Sequence, residues 1–395
     1  MRNNTKVIEI NSRKKPIALV PNRLTEARII ARLTQTQLAA RINVSRQAIS
    51  NYEKGNRVPD PETFHKILQE LKQPTKFFTN TSYPVFGQQG ANFFRKKGVD
   101  NKWKNRACAI YASWFTASVK LLEPFLNLPE VKLPSFEPIN KVANNYTKEE
   151  IEQYAEKLRE ELGLGLGPIS NVMGLLEQMG IFICHLALEK ENIDAFSYWS
   201  GDRPFIFLAS DKKSAVRRRF DATHELAHLC LHTWVTEEEL DDPKRLKQIE
   251  KEADHFAGAF LLPRRSFLNE IYSTKVESFI HLKSRWKVSI QSMVQRCKQL
   301  GIFDEYQILN LQKQISYKKW RTNEPLDSGS GALAFEEPLL LNYVVKKLIK
   351  SGKFTFDELI NELPLSIEIL KQFFNLSESY FAESVHKKLC ISKFN

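Results

Sequence analysis

Apolar positions along this chain change their spacing several times, and each change marks an element. From Leu24 to Leu33, over Gln35–Arg41 and over Ser45–Glu53 they return at helical intervals. Ile42-Asn43-Val44 between the last two reads as a tight turn. Ala39 and Ala40 are small enough for a close helix crossing, Val44 and Ile49 plug a core, and Ser45 is a good N-cap. Three helices so spaced predict a helix-turn-helix. The pattern runs to Phe78, after which Thr79 to Gly90 carries Asn, Ser, Pro and Gly and reads as a connection. Asn92 to Leu126 predicts a long helix. Its Arg95, Lys96 and Lys97 form a basic face over an apolar core, with nucleic-acid contact as the alternative. The stretch from Asn127 to Asn145, with Pro129, Pro134 and Pro138, reads as an extended tether.

The middle of the chain alternates between the two periods. Thr147 caps a helix with Glu149 and Glu150 in its first turn, and Gly163 to Pro168 ends it. Ile181–Leu188, Ala195–Tyr198 and Phe205–Leu208 predict three short strands. A helix follows the polar approach Asp211–Arg219. The acidic run from Glu237 to Asp242 then predicts an exposed loop, and a second helix spans Lys244 to Leu262, stopping at Pro263. Phe279–Ile302 reads as a small helical unit of winged-helix type. Beyond the Gly/Ser patch Ser328–Gly331, Leu339–Lys350 and Phe356–Phe374 predict two amphipathic helices, a packing or dimerisation appendage. The fold class is therefore multidomain α+β. An all-α domain spans 1–80, a helical connector and tether 81–145, a small α+β domain 146–325 and a helical appendage 326–395.

Charge and cysteine usage narrow the setting. The first 80 residues hold 15 Lys and Arg against 6 Asp and Glu, so most of the chain's net charge of +12 sits in one fifth of its length. Clustered positive charge points to a polyanion partner. On the predicted third helix Arg46, Gln47, Ser50 and Asn51 would read base edges in a major groove, and Gln37 at the start of the second helix would meet a phosphate. No apolar run reaches membrane-spanning length, and Met1–Lys15 has no apolar block after it, so neither membrane nor signal peptide is expected. Five cysteines, scattered singly, suit a reducing cytoplasm and exclude a disulfide framework. Cys230 reads as core filler.

The chemistry begins at His224-Glu225-Leu226-Ala227-His228. Residues four apart on a helix share a face, so both imidazoles can bind one Zn²⁺ while Glu225 takes a proton from the water it activates. A hydrolytic zinc needs a third protein ligand. Glu250 shares a helical face with Ala253, Asp254, Ala257 and Leu261 and is preferred; Glu252, on the neighbouring face, is the alternative. Ala253 and Ala257 would allow close approach of the two helices. Asp254 would accept the second N–H of a ligating histidine and fix its tautomer. His185 is placed in or beside a strand. His255 is read as a residue near the site that could donate to a transition state.

Two resemblances rest on these residues. The segments His224–His232 and Glu250–Pro263, with Asp194-Ala195-Phe196-Ser197, Arg217–Asp221, Arg285–Ser289 and Trp320–Pro325, resemble the ImmA/IrrE family of zinc metallopeptidases over about Ile151 to Pro325. The resemblance implies a small gluzincin-like fold, Glu225 as general base, and site-specific cleavage of a transcriptional repressor. Ala227 departs from the family's usual glycine. The segment from Thr36 to Pro59 resembles the Xre-type helix-turn-helix of phage-repressor-like regulators, which implies a double-stranded DNA operator and a homodimer upon it.

Three functions stay open at this point: a DNA-bound regulator with a zinc endopeptidase that cleaves a repressor partner or its own linker, a regulator whose metal site is structural or sensory, and a DNA-tethered hydrolase of another substrate.

Overall fold

Side-chain caps decide where the first helices begin. A computed structural model describes residues 19–80, 101–125, 128–139, 145–186, 194–210, 214–377 and 380. In it α1 spans Pro21–Ile30, α2 Gln35–Arg41, α3 Arg46–Glu53, α4 Pro61–Leu71 and α5 Thr75–Thr79. Thr34 Oγ1 accepts from Gln37 N at 3.1 Å while Gln37 Oε1 accepts from Thr34 N at 2.9 Å, a reciprocal box that fixes the start of α2. Ser45 Oγ accepts from Ala48 N at 3.1 Å and opens α3. The turn between them passes through Asn43 at φ 57°, a left-handed position that asparagine tolerates. The first helix starts at Pro21, three residues before the expected Leu24, because proline at N1 is already set at a helical φ. Ala39 is buried at the crossing but Ala40 is exposed, so only one of the pair expected there serves it.

The chain divides into two compact units. The first holds these helices with Arg106–Ala117, part of α6 (Asn101–Leu122), and Asp357–Ser366. Trp114 Nε1 donates to Glu26 Oε2 at 2.9 Å, and the indole meets Phe77 edge-on at 5.1 Å. Ser366 N donates to Gln73 Oε1 at 3.0 Å. Within the helix-turn-helix, Arg28 grips the Glu53 carboxylate with Nε at 2.5 Å and Nη2 at 3.0 Å, a fork that pins α1 to α3. Residues 81–100, with the expected basic face of Arg95, Lys96 and Lys97, lie outside the described residues.

The second unit is built on a small mixed sheet. Its elements begin with α7 (Lys148–Glu161), α8 (Val172–Gln178), β1 (Phe182–Leu186), β2 (Ala195–Ser200) and β3 (Arg203–Ala209). Strand order is β1-β3-β2, with β1 parallel and β2 antiparallel to β3. Register sorts the side chains by face. Phe207 stacks on Phe196 at 4.6 Å and Phe205 on Tyr198 at 5.1 Å, giving one aromatic face. Ile206, opposite Ile183 and Ser197, belongs to the other face and to the main core with Leu226 and Ala227 of α9 (Ala215–Leu231). Ala227, where the resemblance expected glycine, is fully buried there.

Next come α10 (Glu237–Asp241), α11 (Pro243–Leu261), α12 (Arg264–Leu268), α13 (Ser278–Trp286), α14 (Ile290–Gln299) and α15 (Glu305–Tyr317). The acidic run expected as a loop is the short helix α10, because Thr236 and Glu239 form a capping box around its start. Buried arginines tie helix ends together. Arg159 donates to the Phe260 carbonyl at 2.7 Å, and Arg296 to that of Leu262 at 3.1 Å. Glu324 accepts from Lys283 Nζ at 2.9 Å and from Ile290 N at 2.8 Å, so one carboxylate neutralises α13 and caps α14. The unit ends with α16 (Leu340–Lys350) and α18 (Ile367–Phe374), while α17 (Phe356–Glu362), which lies between them in the chain, belongs from Asp357 on to the first unit. The single helix expected from Phe356 to Phe374 is split, since Pro364 lacks the donor to continue it.

The described part of the expected tether, residues 128–139, forms no helix or strand and is hydrogen-bonded within the second unit. Lys132 N donates to the Met179 carbonyl at 3.0 Å, and Phe136 N to that of Cys230 at 2.9 Å. The buried Tyr146 hydroxyl lies 2.5 Å from the Leu231 carbonyl and 2.6 Å from that of Phe136. Among the described residues no helix is long and apolar enough to cross a membrane.

Candidate metal centre

α9 and α11 pack side by side, and the small Ala253 and Ala257, which share the helical face of Glu250, are fully buried. That approach brings His224, His228 and Glu250 to one point, with a ligand atom from each within 4.8 Å of the others. The two Nε2 atoms stand 3.1 Å apart, and Glu250 carboxylate oxygens lie 3.5 Å from His224 Nε2 and 3.8 Å from His228 Nε2.

The other ring nitrogens are already engaged. His224 Nδ1 is 2.9 Å from Asp254 Oδ1, which accepts its proton. His228 Nδ1 is 3.0 Å from His232 Nδ1, and His232 Nε2 is 3.1 Å from Glu252 Oε2. One assignment satisfies the whole chain: His228 Nδ1–H donates to His232, and His232 Nε2–H donates to Glu252. Both proximal histidines then turn an Nε2 lone pair toward the Glu250 carboxylate. Two imidazoles and a carboxylate so converged fit a borderline-soft divalent cation such as zinc with a fourth position to spare.

The electrostatics follow the same layout. Burial would depress His224, but the hydrogen bonds of Asp254 and Glu250 outweigh it and raise the imidazole to about 10, so without a cation these carboxylates hold a proton on it. His232 goes the other way. Burial, with the charge of Arg245, lowers it to about 3 and keeps it neutral, as a relay between His228 and Glu252 requires. Burial raises the Glu252 carboxyl and pushes the Cys230 thiol up, in keeping with its reading as core filler.

Glu225 is buried beside this cluster, and Ser197 Oγ donates to its Oε2 at 2.7 Å. Ser197 and His232 join the cluster though the sequence assigned neither a role: the first lies in β2 and the second four residues after His228. His255, expected near the site, instead bonds Glu152 Oε1 of α7 at 2.7 Å. His185 lies in β1, its Nδ1 2.8 Å from Glu337 Oε2. Glu252, the alternative ligand, is taken up by His232 and by Tyr146 N at 3.3 Å.

Residues 176–298, which hold the cluster, match the family model of the IrrE N-terminal-like domain, a peptidase family. The chain carries an IrrE N-terminal-like domain. Residues 24–78 match the model of the helix-turn-helix family. No curated protein matches the chain. The match to the IrrE-like domain begins in α8 and ends in α14, so it takes in the sheet and both helices that bear the proposed ligands. On the helix-turn-helix, Arg46 and Gln47 of α3 are exposed, with Ser50 and Asn51 half-buried one turn on, and Gln47 Nε2 donates to Asn51 Oδ1 at 3.2 Å. Gln37, also exposed, spends its carbonyl oxygen on the α2 cap.

Proposed function

We propose that this protein is a cytoplasmic, DNA-bound transcriptional regulator whose IrrE-like domain is a zinc endopeptidase acting on a repressor-type partner or on the chain itself. The observation that carries the reading is the convergence of His224, His228 and Glu250 beside a buried Glu225 held by Ser197. His224, His228 and Glu250 would hold the zinc, and Asp254 and His232 would keep both rings in the required tautomer. Bound zinc supplies Lewis acidity to the attacking water and to the scissile carbonyl. Glu225 takes the proton of that water as its oxygen bonds the carbonyl carbon, then passes it to the amide nitrogen as the C–N bond breaks. Gln37, Arg46, Gln47, Ser50 and Asn51 would meet an operator, read by a homodimer across two half-sites.

The test is zinc stoichiometry of wild-type and His224→Ala protein, followed by mass spectrometry of the same samples incubated alone, with DNA, and with candidate repressors. About one zinc per chain, lost in the variant, together with a zinc-dependent fragment, supports the reading. Bound zinc with no fragment under any condition would turn it into a metal-sensing regulator.

A further inference from the structure

A cleft of about 910 Å³ opens in the second unit on the far side of the carboxylates that serve the metal centre. Asp254 and Glu252 line it, whereas His224, His228 and Glu250 do not. Asp254 thus faces two ways, bonding His224 on one side and bordering the cleft on the other. A chain lying in the cleft would pass one side chain away from the proposed zinc.

The lining has a consistent chemistry. Gln291, Gln295, Gln299 and Gln312 bring amides that both donate and accept, matching the repeating N–H and C=O groups of an extended backbone. Gly258 keeps α11 clear of them, since a Cβ there would stand 3.3 Å from Gln299 Oε1. Lys148, Arg217, Lys251, Lys298 and Arg321 also line the cleft, and all are exposed. Of the carboxylates among them, Asp254 accepts from His224, Glu252 from the neutral His232 and Glu324 from Lys283, while Asp221 is half-buried. What the cleft presents to an incoming ligand is therefore hydrogen-bonding amides inside a cationic border. A single-stranded nucleic acid would need exposed stacking faces, but the aromatic lining consists of the buried Tyr146 and the half-buried Phe220.

We infer that this cleft is a docking site for an extended, acidic segment of the protein substrate, adjacent to the metal centre. The inference rests on the peptidase reading for its substrate, but its test does not depend on turnover. Full-length, zinc-loaded Glu225→Gln protein is titrated into a fluorescein-labelled peptide of alternating glutamate and serine, and into its lysine and serine counterpart. The acidic peptide binds the tighter, and adding Lys251→Glu with Lys298→Glu weakens it by about ten-fold or more, whereas adding Arg46→Ala leaves it unchanged. Both lysines are exposed, so the double variant folds; circular dichroism checks that. Equal binding of the two peptides, indifference to the double variant, or displacement by oligodeoxythymidine would overturn the inference. The two readings also fail separately. If wild-type protein cleaves nothing but the double variant still loses the acidic peptide, the peptidase reading falls and the docking site stands. If the double variant cleaves an acidic substrate with unaltered KM, the docking site falls and the peptidase stands.

Discussion

Ser197 Oγ and Glu225 Oε2 are 2.7 Å apart, in a buried contact between an edge strand and the helix that bears both proposed histidine ligands. A hydroxyl donating to one carboxylate oxygen fixes the plane of the carboxyl group. Ser197→Ala should lower kcat about ten-fold with KM and zinc content little changed, and Ser197→Thr should recover most of the loss. Unchanged kcat in the alanine variant would reduce the contact to packing.

Glu225→Gln keeps the hydrogen bond and the shape but removes the base. Hydrolysis should fall by about 10²-fold or more while zinc stays bound at wild-type stoichiometry. Peptide turnover and metal analysis on one sample decide it.

Glu250 and Glu252 separate two ways of losing metal. Glu250→Ala should abolish stoichiometric zinc binding, because it removes a ligand. Glu252→Ala should leave zinc bound but weaken its affinity roughly 10–100-fold, because only the anchor of His232 and thereby of His228 is lost. Competition against a chelator of known affinity tells the two apart; a reversed order would make Glu252 the ligand.

Acid stability has a local source away from the metal. Burial would raise the Glu152 carboxyl, but hydrogen bonds from Arg296 and His255 outweigh it and hold it down to about 2, against an ordinary 4.5. A depressed carboxyl stabilises the fold fully above its unfolded value and loses that contribution as pH falls through its folded one. Glu152→Gln should thus destabilise by about 3 kcal/mol at pH 7, with the difference shrinking as pH falls below about 4.5 toward 2. Urea unfolding across that range measures it.

Arg46→Ala and Asn51→Ala should each cost about 1–3 kcal/mol in specific DNA binding and relax preference at one base position. Gel-shift selection against randomised sites reads this out. Preference unaltered in both would move the reading surface off α3.

What could be read along the chain was whatever depends on near neighbours. The spacing of His224, Glu225 and His228, the caps at Ser45 and Thr147, and the face shared by Glu250 and Asp254 all depend on near neighbours along a helix, and α2, α3 and α11 form where they predict, while α9 begins at Ala215, inside the expected polar approach. Ser197 lies 28 residues before its partner. A lone serine in a strand carries no sign of what will face it until register and packing are set. His232 was masked for the opposite reason, by its place in the apolar run Leu229-Cys230-Leu231. The part played by Trp114 was hidden too, because a long amphipathic helix does not announce which core its residues will fill.

The bonds of Lys132, Phe136 and Tyr146 bear on where the IrrE-like domain can be cut free. Phe136 N serves the Cys230 carbonyl, the Tyr146 hydroxyl serves that of Leu231, and Tyr146 N serves Glu252. An excised domain beginning at Thr147 would leave the carbonyls of Cys230 and Leu231, two and three residues beyond His228, without these donors, and Glu252 without Tyr146 N. A fragment that keeps the last turn of α9 bonded as here starts upstream of Phe136, well before residue 176, where the match to the family model begins.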